Sequence, residues 1–560
     1  MKLELDEVRR LTGPNLLWNH VGVAVDVFID GFDKQQVAEL WQAKTAECLE
    51  SFAWSHEKTT YRLHQDGANL AMSAPLDTLY TACELAELAW DRCVAELVQS
   101  PMPDWQTRIT ELKVELAEEQ NPKLVDLMLA AQRNGVSCLV DDDDLSIGMG
   151  NSTDVWPVTD LPMPNEVNWT KYSDIPRAYI TGTNGKSTSV RLAAEIASAA
   201  SLCAGVTSTD FIRVGQDIID RGDYSGPSGA RILLRDKRAE IAFLEVARGG
   251  MLRRGLPVDK VDAALITNVA SDHLGQYGIN TVQELAEVKF LVSRALDAQG
   301  VLVVNADDEL VIEQAMQLDT PLCWFSVDQD NALIKEQIES GGRAVFVRSS
   351  RIIYHANGQF DDVAHINDLP MTFNGSAMHN VQNALGVVGL CRALNLPLGA
   401  IAQGLSTFGS NAEDNPGRGN LYSYQGAEVI VDFAHNEHSM HAVVSMVKRM
   451  PARRRIVMFS HAGDRSDQDI IDLTQAVLEL DADLYIVAEL EDYLRGRELG
   501  DLPKLVSDVL HTHDVKNEAI YLADSPLSGA QHALAKATPG DVILLFVLDQ
   551  RDQVHSLLSI

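Results

Sequence analysis

The stretch Gly182-Thr183-Asn184-Gly185-Lys186-Ser187-Thr188 constrains this chain more than any other. Before it, Ala178-Tyr179-Ile180-Thr181 is a short apolar run that reads as a strand. After it, Val190, Leu192, Ala193 and Ile196 recur at helical spacing over Ser189 to Ala200. A strand that breaks through glycines into a helix makes a phosphate cradle. Gly182 and Gly185 let backbone N–H groups approach an anion, and the new helix presents its positive end. Lys186 adds a point charge, and the Ser187 hydroxyl suits Mg²⁺. Thr183, Asn184 and Thr188 complete the turn. Ile180 stands where the longer GxxxxGK[ST] form has its first glycine, so this is a compact variant. The competing reading is a solvent-exposed glycine turn that only caps a helix.

At 560 residues the chain is too long for one core, and its length suggests roughly three to four domains. It carries 80 acidic against 46 basic residues, a net charge of −34. Nucleic acid and anionic membrane surfaces are therefore not expected partners, because their phosphates would be repelled. An anionic substrate must be caught by local cations. The cysteines at 48, 83, 93, 138, 203, 323 and 391 form no CxxC pair, so neither a disulfide framework nor a zinc ribbon is indicated. The opening MKLELDEVRR lacks the apolar core of a signal peptide, and no apolar run reaches membrane-spanning length. The expected location is cytoplasmic.

Residues 1–140 read as a small α+β domain. Val21–Ile29 is strand-like, Lys34–Phe52 and Leu76–Val98 have helical periodicity, and Ser55–Ser73 suits a hairpin. Glu84 and Glu87 stand one turn apart with no histidine beside them, which favours a solvated helix face over a metal site. Residues 141–175 hold the run Asp141–Asp144, then glycines and prolines, and read as extended linker. The aspartates are expected to be a solvated charge cluster. From 176 to 410 strands at Ile241–Val246, Ala263–Thr267 and Gly300–Val304 alternate with helical stretches such as Val282–Leu296. That alternation predicts a parallel sheet with helices on both faces, and ligands gather at the carboxyl ends of such strands. Three motifs fall there: Glu245, suited to Mg²⁺; Thr267-Asn268 followed by Asp272-His273, with His273 open to a second ion or to a structural role; and Asn305-Ala306-Asp307-Asp308. Residues 411–560 alternate again, with strands at Val429–Val431, Ile456–Phe459, Leu484–Val487 and Val542–Phe546. The expected fold class is multidomain α/β: an N-terminal α+β accessory domain, a central P-loop domain and a Rossmann-like closing domain.

Taken together, GTNGKST, the Glu245 strand end, Asn268…Asp272-His273-Leu274-Gly275, Lys289 and Asn305–Asp308 resemble the Mur ligase family of ATP-dependent amide-forming enzymes. His379–Leu385, Asn415-Pro416-Gly417-Arg418 and Asp432-Phe433-Ala434-His435-Asn436 extend the likeness, in one order, over roughly residues 176–560. Within the family the likeness is greatest to the cyanophycin synthetase branch. Leu11–Asn15, Asp223–Arg231 (with Ser225 and Arg231), Glu245–Gly250 (with Arg248), Glu413–Arg418 and Gly463–Asp467 carry it. Two features depart from that branch. No ATP-grasp module fits between the N-terminal and Mur-like parts, where only a short linker with Leu145–Gly148 stands. Leu76–Val98 lacks the paired histidines that some relatives carry for a hydrolytic metal site.

The resemblance implies an acid–amino acid ligase that activates a carboxylate with ATP and Mg²⁺ and joins it to an amine. In the branch the Mur-like half joins arginine to an aspartate side-chain carboxylate. The resemblance assigns phosphate contacts to Lys186, the loop amides and Arg418, a first Mg²⁺ to Ser187 and Glu245, and a second to His273. Lys289 resembles the lysine that many members carbamylate, the alternative being an exposed helix lysine. Asn383 falls in the adenine-contacting segment, and Asp432 would contact the ribose. Ser225, Arg231, Arg248 and His435 are assigned to substrate. Asp464 and Arg465 lie in a loop after a strand and suit an amino acid's ammonium and carboxylate, or equally an ordinary surface salt bridge. His435, His438 and His441 reflect family pattern and a wet surface more than a metal site. The expected partners are small amino acid and carboxylate or peptide substrates, with a homo-oligomer left open. Two other classes compete: a catalytically silent regulatory homologue, and an NTPase or phosphotransferase using the same loop.

Overall fold

The computed structural model describes residues 2–102, 104–409, 411–412 and 414–558. Glu413, part of the motif ending at Arg418, lies outside the described residues. The chain divides into two compact units. One holds the chain through Val269, His273–Trp324 and Gly389–Pro397. The other holds Ala270–Asp272, Phe325–Val388 and the chain from Leu398 onward.

The first unit opens with β1 (Lys2–Leu11), β2 (Gly22–Asp30), α1 (Lys34–Ser51), β3 (Thr59–His64), β4 (Gly67–Ser73) and α2 (Leu79–Leu97). The strands make an antiparallel sheet in the order β1-β2-β4-β3. Alternation sorts the faces of β2. Val23, Val25, Val27 and Ile29 pack with Val37, Trp41, Leu85 and Ala86 of the two helices, while Ala24 turns to Leu11 and Ala71 on the other face. Asp26, on that second face, is 4% exposed and takes both Arg9 nitrogens, at 2.7 and 2.9 Å, and Asn69 at 2.7 Å. The strand over Val21–Ile29, both helices and the hairpin follow the sequence reading. β1 does not, because only part of one side of Lys2–Leu11 is buried and a register shift between Leu5 and Glu7 breaks its alternation.

α3 (Trp105–Glu119) and α4 (Pro122–Arg133) lead to β5 (Cys138–Val140), β6 (Asp144–Ile147) and β7 (Asp154–Pro157). These three form an antiparallel sheet whose Leu145 and Ile147 pack with Leu124, Leu127 and Leu161. Part of the stretch read as extended linker is thus folded. Nor is Asp141–Asp144 solvated throughout, although Asp142 and Asp143 are exposed. Asp141 pairs with Arg235, and Asp142 accepts from Arg10 at 2.7 Å and Tyr80 at 2.8 Å. Two of the four adjacent carboxylates thus gain cations from outside the run.

The main sheet of this unit uses β8 (Arg177–Thr181), α5 (Lys186–Ala199), β9 (Ala204–Thr207), β10 (Phe211–Val214), β11 (Asp217–Arg221), α6 (Pro227–Leu234), β12 (Ile241–Glu245), α7 (Arg248–Arg254), β13 (Val261–Ile266), α8 (Val282–Lys289) and β14 (Leu296–Asn305). Its strand order is β11-β10-β9-β12-β8-β13-β14, parallel from β9 to β14. β8 and β12 are buried along their whole length, as expected of strands covered on both faces. The helix expected over Val282–Leu296 ends at Lys289, tightens to a 3₁₀ turn over Phe290–Ala295 and becomes β14. α9 (Glu309–Ala315) and β15 (Leu322–Ser326) follow.

The second unit contains α10 (Ala332–Ser340), the antiparallel strands β16 (Arg343–Arg348), β17 (Arg351–Ala356) and β18 (Gln359–His365), α11 (Met378–Ala393) as far as Val388, and α12 (Leu398–Thr407). A second sheet is built from β19 (Asn420–Tyr424), β20 (Ala427–Asp432), α13 (Glu437–Lys448), β21 (Arg455–Phe459), α14 (Asp467–Leu478), β22 (Leu484–Ala488), α15 (Asp501–Thr512), β23 (Ile520–Ala523), α16 (Pro526–Ala535), β24 (Val542–Phe546) and α17 (Arg551–Leu558). Its order is β19-β20-β24-β21-β22-β23, parallel except for β19. One face packs on α13, α14 and α15, the other on α16 and α17. The architecture is mixed α/β with a small antiparallel N-terminal sheet, as the sequence suggested. Among the described residues no helix is long and apolar enough to cross a membrane.

The Arg9–Asp26 pair is buried on both sides, so removing one partner strands the other charge. Arg9→Met is expected to lower unfolding stability by about 3–5 kcal/mol, and Arg9→Met with Asp26→Leu to recover most of it. Urea unfolding followed by circular dichroism measures both.

Candidate active site

Three neighbouring strands place the phosphate loop. β8 runs into it, β12 lies on one side and β13 on the other. Gly182 has φ +146°, and a Cβ there would lie 1.8 Å from Thr267 Oγ1, so only glycine allows this approach. Thr267 Oγ1 donates to the Asn184 carbonyl at 2.6 Å, and Asn268 Nδ2 donates to the same oxygen at 3.1 Å. In return Thr183 N donates to Asn268 O at 2.9 Å and Asn184 N to Asn268 Oδ1 at 3.0 Å. Gly185, at φ +85°, is the N-cap of α5, which brings Lys186 to the first helical position. Lys186 Nζ folds back on the carbonyls of Gly182 and Thr183 at 3.0 and 2.9 Å. The geometry is that of a turn braced by its neighbours, with a lysine at its mouth and a helix N-terminus behind it.

Ser187 and Thr188 are buried in the first turn of α5. Ser187 Oγ donates to Glu245 Oε1 at 3.2 Å and lies 3.3 Å from Thr209 Oγ1. Glu245 is 1% exposed at the end of β12. A hydroxyl and a buried carboxylate at the mouth of an anion cradle are hard oxygen donors, the type that Mg²⁺ prefers. This donor set fits a divalent ion.

Beyond Glu245 the chain turns into α7. Ser225 sits beside that turn, where its carbonyl accepts from Ala247 N at 3.1 Å and its hydroxyl donates to Asp223 at 2.6 Å. Arg248 reaches out to the His273 carbonyl and to Gln276 Oε1, 2.7 Å each. His273 itself is exposed and holds a left-handed backbone, φ +50°. Lys289, the last residue of α8, is 3% exposed, which removes the exposed-lysine alternative. Asn305 donates to Thr267 O at 2.9 Å, and Asp308 accepts from Val269 N at 2.7 Å, so the third strand end braces the second. Arg231 Nε stands 3.9 Å from Asp141 Oδ2.

In the second unit Asn383 is buried on α11 and donates to Asn380 at 3.2 Å. Asp432 ends β20, 8% exposed, and accepts from Ala434 N at 2.7 Å. Burial raises its pKa from 3.8 to about 6, against the pull of Arg418 and nearby amides. Arg418 lies 5.0 Å from the Phe433 ring. Burial lowers His435 to about 4, so it is a neutral imidazole at pH 7, with Nδ1 3.0 Å from Phe433 O. His441, on α13, faces Glu479 and Glu437. Asp464 pairs with Arg495. The backbone carbonyl of Arg465 accepts from Arg497 at 2.7 Å. Sequence reasoning missed Ser460 and His461. They follow β21, are 3% and 4% exposed, and keep Ser460 Oγ and His461 Nε2 without hydrogen-bond partners. Their place just past a core strand was the available signal.

Two family models match the chain: the Mur ligase middle domain over residues 180–391, and the Mur ligase glutamate ligase domain over residues 417–546. A cyanophycin synthetase of Crocosphaera subtropica is 35% identical over 393 residues, which are 70% of this chain and 44% of that protein. One of Synechocystis sp. is 37% identical over 350 residues, covering 62% of this chain and 39% of that protein. The chain thus spans less than half the length of these relatives. Among solved structures, Escherichia coli FolC in complex with DHPP and ADP aligns with a TM-score of 0.53 at 19% identity, over 69% of this chain and 88% of that one. At that identity the likeness shows the fold.

Two measurements follow from this geometry. Gly182→Ala is expected to weaken binding of a fluorescent ATP analogue by at least about tenfold, because its Cβ has no room beside Thr267. For Asp432, the raised folded pKa means that stability is gained below pH 3.8 and lost as pH climbs through about 6. Asp432→Asn does not titrate, so relative to wild type it should gain up to about 3 kcal/mol between pH 4 and pH 8 in urea unfolding.

Proposed function

The chain belongs to the Mur ligase family through its middle and C-terminal domains, and from that premise we propose that it is an ATP-dependent carbon–nitrogen ligase that joins a carboxylate to the amine of an amino acid, as a cyanophycin synthetase does. The observation that carries the reading is the convergence of Lys186, Ser187 and Glu245 on one braced cradle. A plain glycine cap would need neither the buried carboxylate nor the lysine.

The chemistry needs a primed acid, because an amine does not displace oxide from a carboxylate. The carboxylate attacks the γ-phosphorus of ATP and ADP leaves. The amine then attacks the acyl phosphate, and phosphate departs with one former carboxylate oxygen. Positioning and charge stabilisation supply most of the acceleration. The loop amides and the start of α5 face the phosphates, and Lys186 exchanges its carbonyl partners for phosphate oxygens. Ser187 and Glu245 would hold Mg²⁺. When bound, the ion neutralises charge that builds on the transferring phosphoryl group.

Further assignments rest on the family pattern. His273 would hold a second ion, and Lys289 would support it as a carbamate; burial suits a lysine that does not remain a bare cation. Asn383, Asp432 and Arg418 would contact adenine, ribose and phosphates. Ser225, Arg248, His435 and Arg465 are assigned to substrate. Arg231 and Asp464 are assigned to substrate as well, and each also has an ion-pair partner within the protein.

The test is phosphate release by the purified protein with ATP, Mg²⁺, amino acids and short β-aspartyl peptides. Release is expected only with a matching acid–amine pair, to fall by at least about a hundredfold in Lys186→Ala, and to stop with EDTA. Steady release without any acceptor would instead mark a plain NTPase, and no release with any pair a silent homologue.

A further inference from the structure

The loop that carries His273 is an unusual piece of backbone. His273, Gly275, Tyr277 and Gly278 all have positive φ, at 50°, 89°, 55° and 69°. Two of the four carry side chains, and such conformations persist only where the surroundings over-determine them. The loop's own backbone supplies little of that. Gly275 N donates to Ile279 O at 2.8 Å and Ile279 N to Gln276 O at 3.1 Å. From the side of the site, Arg248 holds the His273 carbonyl and Gln276.

The opposite side is held by the N-terminal sheet. β3 is the edge strand of that sheet, with one row of backbone groups to cover. Its Arg62 donates to the Gly278 carbonyl at 2.9 Å through one nitrogen and to Glu284 Oε1 at 2.6 Å through the other. Glu284 is no casual partner. Its second oxygen accepts from the backbone of Asn280 at 2.8 Å and Thr281 at 3.0 Å, which closes the capping box of α8. One guanidinium thus ties the exit of the His273 loop to the first turn of the helix that ends in Lys289. The side chains of Arg62 and Glu284 are only 18% and 26% exposed, and a charge-assisted fork of this kind is directional. A Cβ on Gly278 would lie 2.4 Å from the His64 ring, so the loop backbone rests on β3 itself. Arg9, locked by Asp26, stands 5.5 Å from the Tyr277 ring and donates to Leu252 O of α7, the helix that begins with Arg248, at 2.6 Å.

We propose that the N-terminal sheet is a brace for the reaction centre, with Arg62 the positioning residue that fixes residues 273–289 and Arg9 its second point of support. Arg62 touches neither phosphate cradle nor substrate; it acts through the loop and helix. The effect on turnover rests on the ligase reading, whereas the effect on the loop does not.

The test combines hydrogen–deuterium exchange with steady-state kinetics on the full chain, for wild type, Arg62→Ala, Arg62→Lys and Arg108→Ala. Arg108 makes comparable ion pairs on α3 without touching the loop. In Arg62→Ala, peptides over 273–289 should exchange at least about tenfold faster while the rest of the chain keeps its protection. kcat should fall by about tenfold or more with the KM for ATP within about twofold, since the variant displaces a positioned group and leaves the phosphate cradle intact. Arg62→Lys, which keeps charge but not the fork, should lie between, and Arg108→Ala should match wild type. Unchanged exchange over 273–289 in Arg62→Ala overturns the brace, as does a drop in protection spread evenly over the N-terminal part. If wild type turns over no acid–amine pair but Arg62→Ala still exchanges faster over 273–289, the brace stands and the ligase reading falls. If wild type is active and Arg62→Ala keeps both protection and kcat, the reverse holds.

Discussion

Two strand ends in the first unit approach more closely than any side chain at Gly182 would permit. β8 and β13 are hydrogen-bonded neighbours, and the absence of a Cβ at Gly182 lets Thr267 and Asn268 grip the turn by its own carbonyl and amides. The turn is shaped by contacts within the protein. That is the condition under which aligned N–H groups cost no reorganisation when charge develops. Because β12 lies on the other side of β8, its terminal Glu245 falls next to Ser187. Asn305 and Asp308 at the end of β14 then brace the Thr267–Val269 corner. The site is a property of strand order as much as of motif.

What was legible in the sequence was whatever a residue type dictates locally. Gly182 and Gly185 announce backbone that other residues avoid, and the apolar run ending in Glu245 announces a buried strand with a carboxylate at its tip. Most strands of both parallel sheets read directly from apolar runs, whereas β9 and β23 did not. Periodicity could place Lys289 on a helix but not say which way the last residue faces, and it is buried where the 3₁₀ turn begins. β1 was hidden because only Arg9 and Leu11 are fully buried in it and a bulge breaks its alternation. Asp141 and Asp142 looked like a solvated run because their partners, Arg235 and Arg10, lie far away in sequence. Arg62 carried no signal at all: its importance lies entirely in what folds against it.

The charge balance takes on meaning at this level. A chain with net charge −34 cannot draw anionic ligands by its overall field, so it concentrates cations where they act. Lys186 sits in the cradle, Arg248 beside the His273 loop, and Arg418 beside the buried Asp432. The same placement of cations recurs in the N-terminal sheet, where Arg9 and Arg62 each fix a neighbour: Asp26 and α7 for one, Gly278 and Glu284 for the other. Arg9 and Arg62 thus tie the N-terminal sheet by hydrogen bonds to α7 and to the His273 loop.

The central claim is that the carboxylate is primed by phosphoryl transfer before the amine attacks, and oxygen isotope transfer tests it directly. With an acid substrate labelled with ¹⁸O in both carboxylate positions, unlabelled water, ATP and the amine, the released phosphate is read by mass spectrometry. The account predicts one ¹⁸O in each phosphate released, carried over from the acid. Phosphate with no label, released at the full rate of ATP consumption, would mean that water attacks the nucleotide and would contradict it.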